Sequence, residues 1–235
     1  MNYMGSKRRC AKWLIPYIQE QIDENAVECY WEPFGGGANA IDKVRCNRRV
    51  YSDANRYVVA LLAHVAETGG EDLPEKVTLE DYRSAKDRPE EHPDWWVGLL
   101  GMCSYRNKFF DGFSGNASNG INYPKQLMDG LKKQAALLKG IEFVHSDYRD
   151  IEFPKGCLIY CDPPYRGTTG YWRGLSKFDH EEYYAWVRRL SMDHIVLCSE
   201  SWMPEDFDVV AEGEVRSRVG VVRAPQTERL FRLHI

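Results

Sequence analysis

The sequence predicts an α/β fold: a mostly parallel sheet, interrupted in mid-chain by a mainly helical insertion. Three observations carry this expectation. Apolar strand-like runs alternate with helical spacings at both ends of the chain, three glycines (Gly35, Gly36, Gly37) follow one such run directly, and strand character lapses between Glu71 and Gly140 before it resumes.

The elements follow in order. Ala11, Leu14, Ile15, Ile18 and Ile22 recur at helical spacing, and Pro16 is expected to kink that helix or to open a second one. Residues 27–31 read as a strand, 38–46 as a helix, 49–52 as a strand ending on Asp53, and 55–66 as a further helix. This β-α-β-α order is the pattern of a parallel sheet. Thr68-Gly69-Gly70 breaks it, and residues 71–140 show helical spacing around an aromatic, Asn/Gly-rich loop. Strands resume at 141–145 and 157–161, with a helix at 180–190 and a strand at 195–199. The end alternates and turns like a β-hairpin, so antiparallel strands are expected to close the sheet. Residues 1–70 and 141–235 thus form the expected core, and 71–140 the inserted lobe.

Composition bounds the function. In 235 residues, 43% are hydrophobic and 28% charged, and no apolar run approaches the roughly 18 residues of a membrane span. Basic residues near the N-terminus precede no apolar segment of the secretory kind, so a cytoplasmic protein is expected. The seven cysteines form no C-x-x-C pair, which supports neither a zinc site nor a disulfide framework. A formal charge of −4 argues against indiscriminate coating of nucleic acid, but its distribution is uneven. Residues 67–94 hold ten acidic and four basic side chains, whereas 95–140 hold six basic and two acidic, so the second stretch is a candidate nucleic-acid face. Charge runs are more often simply solvated surface.

Two motifs carry chemistry. After the glycine turn, Asp53 stands eighteen residues beyond Gly35 at a strand end, where a carboxylate can accept hydrogen bonds from ribose hydroxyls. The turn lacks the third glycine of a dinucleotide fingerprint, which suits a nucleoside better than a pyrophosphate and argues against a nicotinamide-dependent oxidoreductase. The second motif, Asp162-Pro163-Pro164-Tyr165, follows the apolar run Leu158-Ile159-Tyr160-Cys161. An exocyclic amine of a base is a poor nucleophile, and a fixed carboxylate at Asp162 with the Pro163 carbonyl can accept its two N–H groups while Tyr165 stacks on the ring. Such a base must be turned out of its duplex. A rigid turn without a ligand is the competing reading for both motifs, and for Pro163-Pro164-Tyr165 so is a polyproline ligand of a WW-like domain.

These residues resemble the Dam-type N6-adenine DNA methyltransferases (D12 class, group alpha), in which cofactor motif, recognition region and D-P-P-Y follow in that order. The resemblance covers nearly the whole chain. It implies a Rossmann-like methyltransferase sheet with a helical target-recognition lobe, S-adenosyl-L-methionine as methyl donor, double-stranded DNA as partner, and N6-methyladenine as product. By the same resemblance Tyr3 and Lys7 contact the cofactor, with Glu32, Phe34, Gly35 and Gly37 forming its glycine motif, Asp53 its ribose site, and Asp147 the acidic motif beside its adenine. Asp162, Pro163, Pro164 and Tyr165 match the catalytic motif, Asp162 also bordering the cofactor; Thr168, Thr169 and Tyr171 match the following loop, and residues 226–230 the closing hairpin strand. The compact size suggests a phage or prophage enzyme, and restriction–modification is a setting the resemblance brings with it.

For DNA, the candidates are Arg106, Asn107, Lys108 and Lys125 in the lobe and Arg216 and Arg218 in the hairpin, with Lys132, Lys133 and Arg223 as further cations. Arg106 and Asn107 could also read base edges. Phe109, Phe110 and Phe113 could wedge into a vacated base position, though such a cluster is more often a small core. No obligate protein partner and no metal are implied. A cytosine-N4 enzyme, for which serine is usual in place of Asp162, and a binding module of the same fold without turnover are the alternatives.

Overall fold

The computed structural model describes residues 1, 6–104, 108–113, 115, 122–166, 178–216 and 225–234, the side chains of residues 215, 216, 225 and 226 excepted. Its strands are β1 (Cys29–Glu32), β2 (Arg48–Asp53), β3 (Ile141–His145), β4 (Leu158–Cys161), β5 (Ile195–Glu200), β6 (Phe207–Arg216) and β7 (Pro225–Leu233). They form one seven-stranded sheet in the order β3-β2-β1-β4-β5-β7-β6. The first five are mutually parallel, and β7 runs antiparallel to both β5 and β6. The expected antiparallel closure is present, although its first strand starts at Phe207, upstream of the alternating stretch that signals it.

Burial on both faces explains why the central strands read as unbroken apolar runs. Successive residues point to opposite sides, so Leu158 and Tyr160 of β4 join one apolar cluster while Ile159 and Cys161 join the other. The helices are α1 (Ala11–Glu24), α2 (Arg56–Thr68), α3 (Leu79–Asp87), α4 (Asp94–Met102), α5 (Tyr123–Leu138) and α6 (His180–Leu190). Apolar residues of α1, α2, α4 and α5 fill the first cluster, whereas Tyr183, Tyr184, Trp186 and Val187 of α6 fill the second. Helix α4 lies close on α2, where a side chain at Gly98 would place its Cβ 2.1 Å from the Tyr57 carbonyl. Phe109, Phe110 and Phe113 pack on this same layer, Phe110 and Phe113 against Tyr82 and Phe109 against Tyr57. That is the core reading of the three rings.

Two local expectations are corrected. No second helix opens at Pro16, because α1 continues through it. Leu14, Ile18 and Ile22 are buried on one face while Lys12 and Pro16 are exposed, so the carbonyl that loses its partner to the proline ring faces water. Residues 38–46 form no helix: 39–43 are turns and 44–46 run on without regular structure. Ala38 adopts φ +53°, and the carbonyls that would accept helical N–H groups are taken by side chains: Gln134 Nε2 donates to Gly37 O at 3.1 Å and Ala38 O at 2.9 Å, and Lys43 Nζ to Asn39 O at 2.9 Å. The same amide nitrogen reaches Asp42 Oδ2 at 2.9 Å.

Helix α5 therefore caps the segment that follows the glycine turn. Replacing the buried Gln134 with leucine leaves two carbonyls without that donor, and a loss of roughly 2–4 kcal/mol in unfolding free energy is expected. Urea denaturation measures it; a variant within half of that lower figure would show that the turns hold themselves.

Candidate active site

The strand order reverses direction at β1, whose neighbours are β2 and β4, and the crevice at the carboxyl ends of these strands is where an open parallel sheet receives ligands. The chain leaves β1 through Glu32, Pro33 and Phe34 into the glycine turn. Asp53, at the end of β2, ties that turn to the start of α2: Oδ2 accepts from Gly36 N at 2.9 Å and Oδ1 from Asn55 N, the cap of α2, at 2.8 Å. Gly36 has φ +48°, and its carbonyl accepts from the Tyr51 hydroxyl at 2.8 Å. Gly35 is dictated by a protein neighbour, since a Cβ there would lie 2.1 Å from the Tyr51 ring. Gly37 supplies a carbonyl to Gln134, as described above.

Glu32 is only 3% exposed and accepts from the Tyr30 hydroxyl at 2.7 Å. Burial pushes its carboxyl up to about 8, with Asp42 and Asp162 adding repulsion against the lowering effect of the Tyr30 bond. Asp53 is also raised by burial, against its two backbone donors. Phe34 packs at an angle to Tyr148 and edge-on to Phe178 and Tyr183, with centroids 5.1, 5.9 and 5.8 Å away. Asp147 caps the turn Tyr148–Asp150 and is clasped by Arg149, Nε to Oδ1 at 2.7 Å and Nη2 to Oδ2 at 2.9 Å, which holds it below its ordinary value.

The Asp162-Pro163-Pro164-Tyr165 segment leaves the end of β4, the strand paired with β1, which leads into the glycine turn. Lys7, from the 3₁₀ turn Lys7–Arg9, brings its ammonium to 2.7 Å from Asp162 Oδ1 and donates to the Tyr165 hydroxyl at 2.7 Å. Tyr165 in turn donates to Glu228 Oε2 at 2.6 Å, and Lys7 lies 3.8 Å from that same oxygen. Burial would lower Lys7, but Asp162 and Glu228 overcome it and hold the ammonium above its ordinary range. Asp162 is pushed up to about 6, chiefly by burial, against the opposing pull of Lys7.

The segment is braced from behind. His180 Nε2 donates to Pro164 O at 3.0 Å, and the fully buried Glu200 accepts from Arg166 N at 2.8 Å and Ser201 N at 2.6 Å. Neither His180 nor Glu200 has a motif of its own in the sequence; position after a strand and at a helix start is the only signal. The arrangement offers a carboxylate with one anchored oxygen, at the end of the strand next to the one that leads into the glycine turn.

Of the other sequence candidates, Lys125 is exposed near the start of α5 and pairs with Asp129 at 3.2 Å, and Lys108 is half-buried. Arg216 ends β6. Tyr3, Arg106, Asn107, Thr168, Thr169, Tyr171, Arg218 and Arg223 lie outside the described residues. Among the described residues no three His, Cys, Asp or Glu side chains are grouped to hold a metal, and no helix is long and apolar enough to cross a membrane.

Residues 3–92 match the family model of the D12 class N6 adenine-specific DNA methyltransferases. That stretch contains Lys7, Glu32, the glycine turn and Asp53, whereas Asp162 lies beyond it. The chain is also similar to the Type II methyltransferase M.FokI of Planomicrobium okeanokoites, with 27% identity over 72% of this chain and 29% of that protein. It thus spans less than a third of that relative's length.

The buried carboxyls predict a pH dependence. Glu32 is neutral in the folded chain where it is ionised when unfolded, so folding takes up a proton and stability falls as pH rises from 4.5 towards about 8. Glu32→Gln should flatten that decline in urea unfolding of the ligand-free protein, and an unchanged slope would mean that Glu32 ionises as an exposed acid does.

Proposed function

We propose that this chain, a member of the D12 class N6 adenine-specific DNA methyltransferase family, transfers a methyl group from S-adenosylmethionine to the N6 amino group of adenine in double-stranded DNA. The observation that carries the reading is the Asp162 carboxylate fixed by Lys7 at the end of the strand next to the one that leads into the glycine turn. S-adenosylmethionine, when bound, supplies an electrophilic methyl group. The residues present fit such a ligand: each Asp53 oxygen keeps a lone pair beyond its backbone bond for a ribose hydroxyl, Glu32 is a buried acid that would give up its proton beside a cationic amino group, and Phe34 offers an apolar edge. We assign Tyr3, Lys7, Gly35, Gly37 and Asp147 to the rim of the same site.

The chemistry assigned to the chain is positioning and charge. Asp162 accepts one N–H of the flipped adenine, and the Pro163 carbonyl accepts the other, which turns the nitrogen lone pair out of the ring's conjugation. The nitrogen would gain positive charge as the methyl left its sulfonium, which would depart as a neutral thioether; the carboxylate offsets that charge, and the extra proton passes to water. Pro164 stiffens the loop and Tyr165 borders the base. With Asp162 near 6, the reactive carboxylate is charged at neutral pH and protonated below it.

We assign residues 71–140 to target recognition, and Arg106, Asn107, Lys108, Lys125, Arg216 and Arg218 to contacts with DNA. The Lys125–Asp129 pair is exposed, so little is lost when the lysine turns to a phosphate. The proposed setting is the cytoplasm of a bacterial cell or a phage-infected host.

Asp162→Ala is expected to lower methyl transfer by about 10²-fold or more while cofactor affinity stays within about threefold. Turnover at the parent rate would remove Asp162 from the chemistry. For Asp53→Ala, a cofactor dissociation constant about tenfold higher is expected by calorimetry, and an unaltered constant would remove Asp53 from the ribose site.

A further inference from the structure

We infer that Glu228 is a positioning residue for the carboxylate that receives the amine: it fixes the Tyr165 phenol and shares the Lys7 ammonium with Asp162, leaving Asp162 one anchored oxygen and one for the substrate. The inference rests on the reading of Asp162 given above. It is carried by a directed chain of contacts. A phenol has one proton, and Tyr165 spends it on Glu228 at 2.6 Å, so its lone pair accepts from Lys7 at 2.7 Å. Lys7 thereby reaches both Tyr165 and Asp162 Oδ1, and Glu228 Oε2 at 3.8 Å attracts the same ammonium from the other side. Among the described residues, no side chain or backbone N–H bonds Asp162 Oδ2.

Glu228 is held in place by its own strand. It lies opposite Gly213 across the β6–β7 ladder, and a Cβ at Gly213 would fall 2.2 Å from the Trp13 indole nitrogen. Trp13 of α1 therefore seats the hairpin at the point where β7 presents Glu228 to Lys7, four residues before α1 begins. The antiparallel end of the sheet thus reaches into a site built otherwise on parallel strands.

The electrostatic consequence is specific. Asp162 faces one ammonium, Lys7, and the carboxyls of Glu228, Glu200 and Glu32. The phenols of Tyr160 and Tyr165 and the Cys10 thiol also lie within its field. Of the carboxyls, Glu228 alone also touches the cation. Removing its charge takes one repelling carboxylate from beside Asp162 while Lys7 stays, so Asp162 then ionises at lower pH.

The test uses the full chain. Carbon-13 carboxyl NMR of the ligand-free protein, with Asp162→Asn to assign the signal, should show the Asp162 midpoint in Glu228→Gln lowered by roughly half a unit to one unit. In methylation assays Glu228→Ala should lose about 10- to 100-fold in kcat with cofactor affinity nearly unchanged. Glu228→Gln should recover most of kcat, because the amide oxygen still accepts from Tyr165, with the acid limb of the pH profile moved down. An unmoved midpoint in Glu228→Gln, or a Glu228→Ala variant as active as the parent, would overturn the inference. If the parent protein methylated no DNA, the functional reading would fail, while the NMR titration would still decide whether Glu228 acts on Asp162.

Discussion

The contact between the Lys7 ammonium and Asp162 organises the site because the sheet delivers acids to one place and little else to balance them. Strands β1, β4 and β5 end at Glu32, next to Asp162, and at Glu200, and β7 adds Glu228. Lys7 is buried, with a side chain 6% exposed, and burial alone would favour its neutral form. The two carboxylates beside it keep it charged, and it offsets part of their mutual repulsion. Such a pair is costly to desolvate and is weak evidence for stability. Its use is directional, since it commits one Asp162 oxygen and leaves the other.

A second constraint lies on the opposite side of the crevice. Asp53 uses one lone pair on each oxygen to hold the glycine turn and the start of α2, and Tyr51 packs its ring where a Gly35 side chain would be. The turn is thus shaped by β2 before any ligand arrives. This is preorganisation of a kind that reduces the cost of binding. The same logic explains the irregular path after it, where Gln134 of α5 takes the carbonyls that a helix would have used internally.

Much of this was legible in the sequence, for identifiable reasons. Strand runs such as Leu158-Ile159-Tyr160-Cys161 are recognisable because both faces are buried, and α6 because Asp179 caps an amphipathic segment, accepting from Glu181 N and Glu182 N. The glycine turn and the D-P-P-Y segment stand out because few residue types meet their backbone demands. The turns within 38–46 were not legible: their spacing is helical, and the competing acceptor, Gln134, lies about ninety residues away in the chain. The same holds for Glu200 and His180, whose roles depend on which strand ends meet. Pro16 misleads for the opposite reason, because the exposed side of α1 tolerates what an interior position would not.

The central claim is that a carboxylate held at one oxygen receives an adenine amine. The most direct measurement is the identity of the product: unmethylated genomic DNA incubated with the chain and S-adenosylmethionine, digested to nucleosides and resolved by mass spectrometry. The account predicts N6-methyladenine. N4-methylcytosine, or no modified base from a preparation that binds the cofactor, would contradict it.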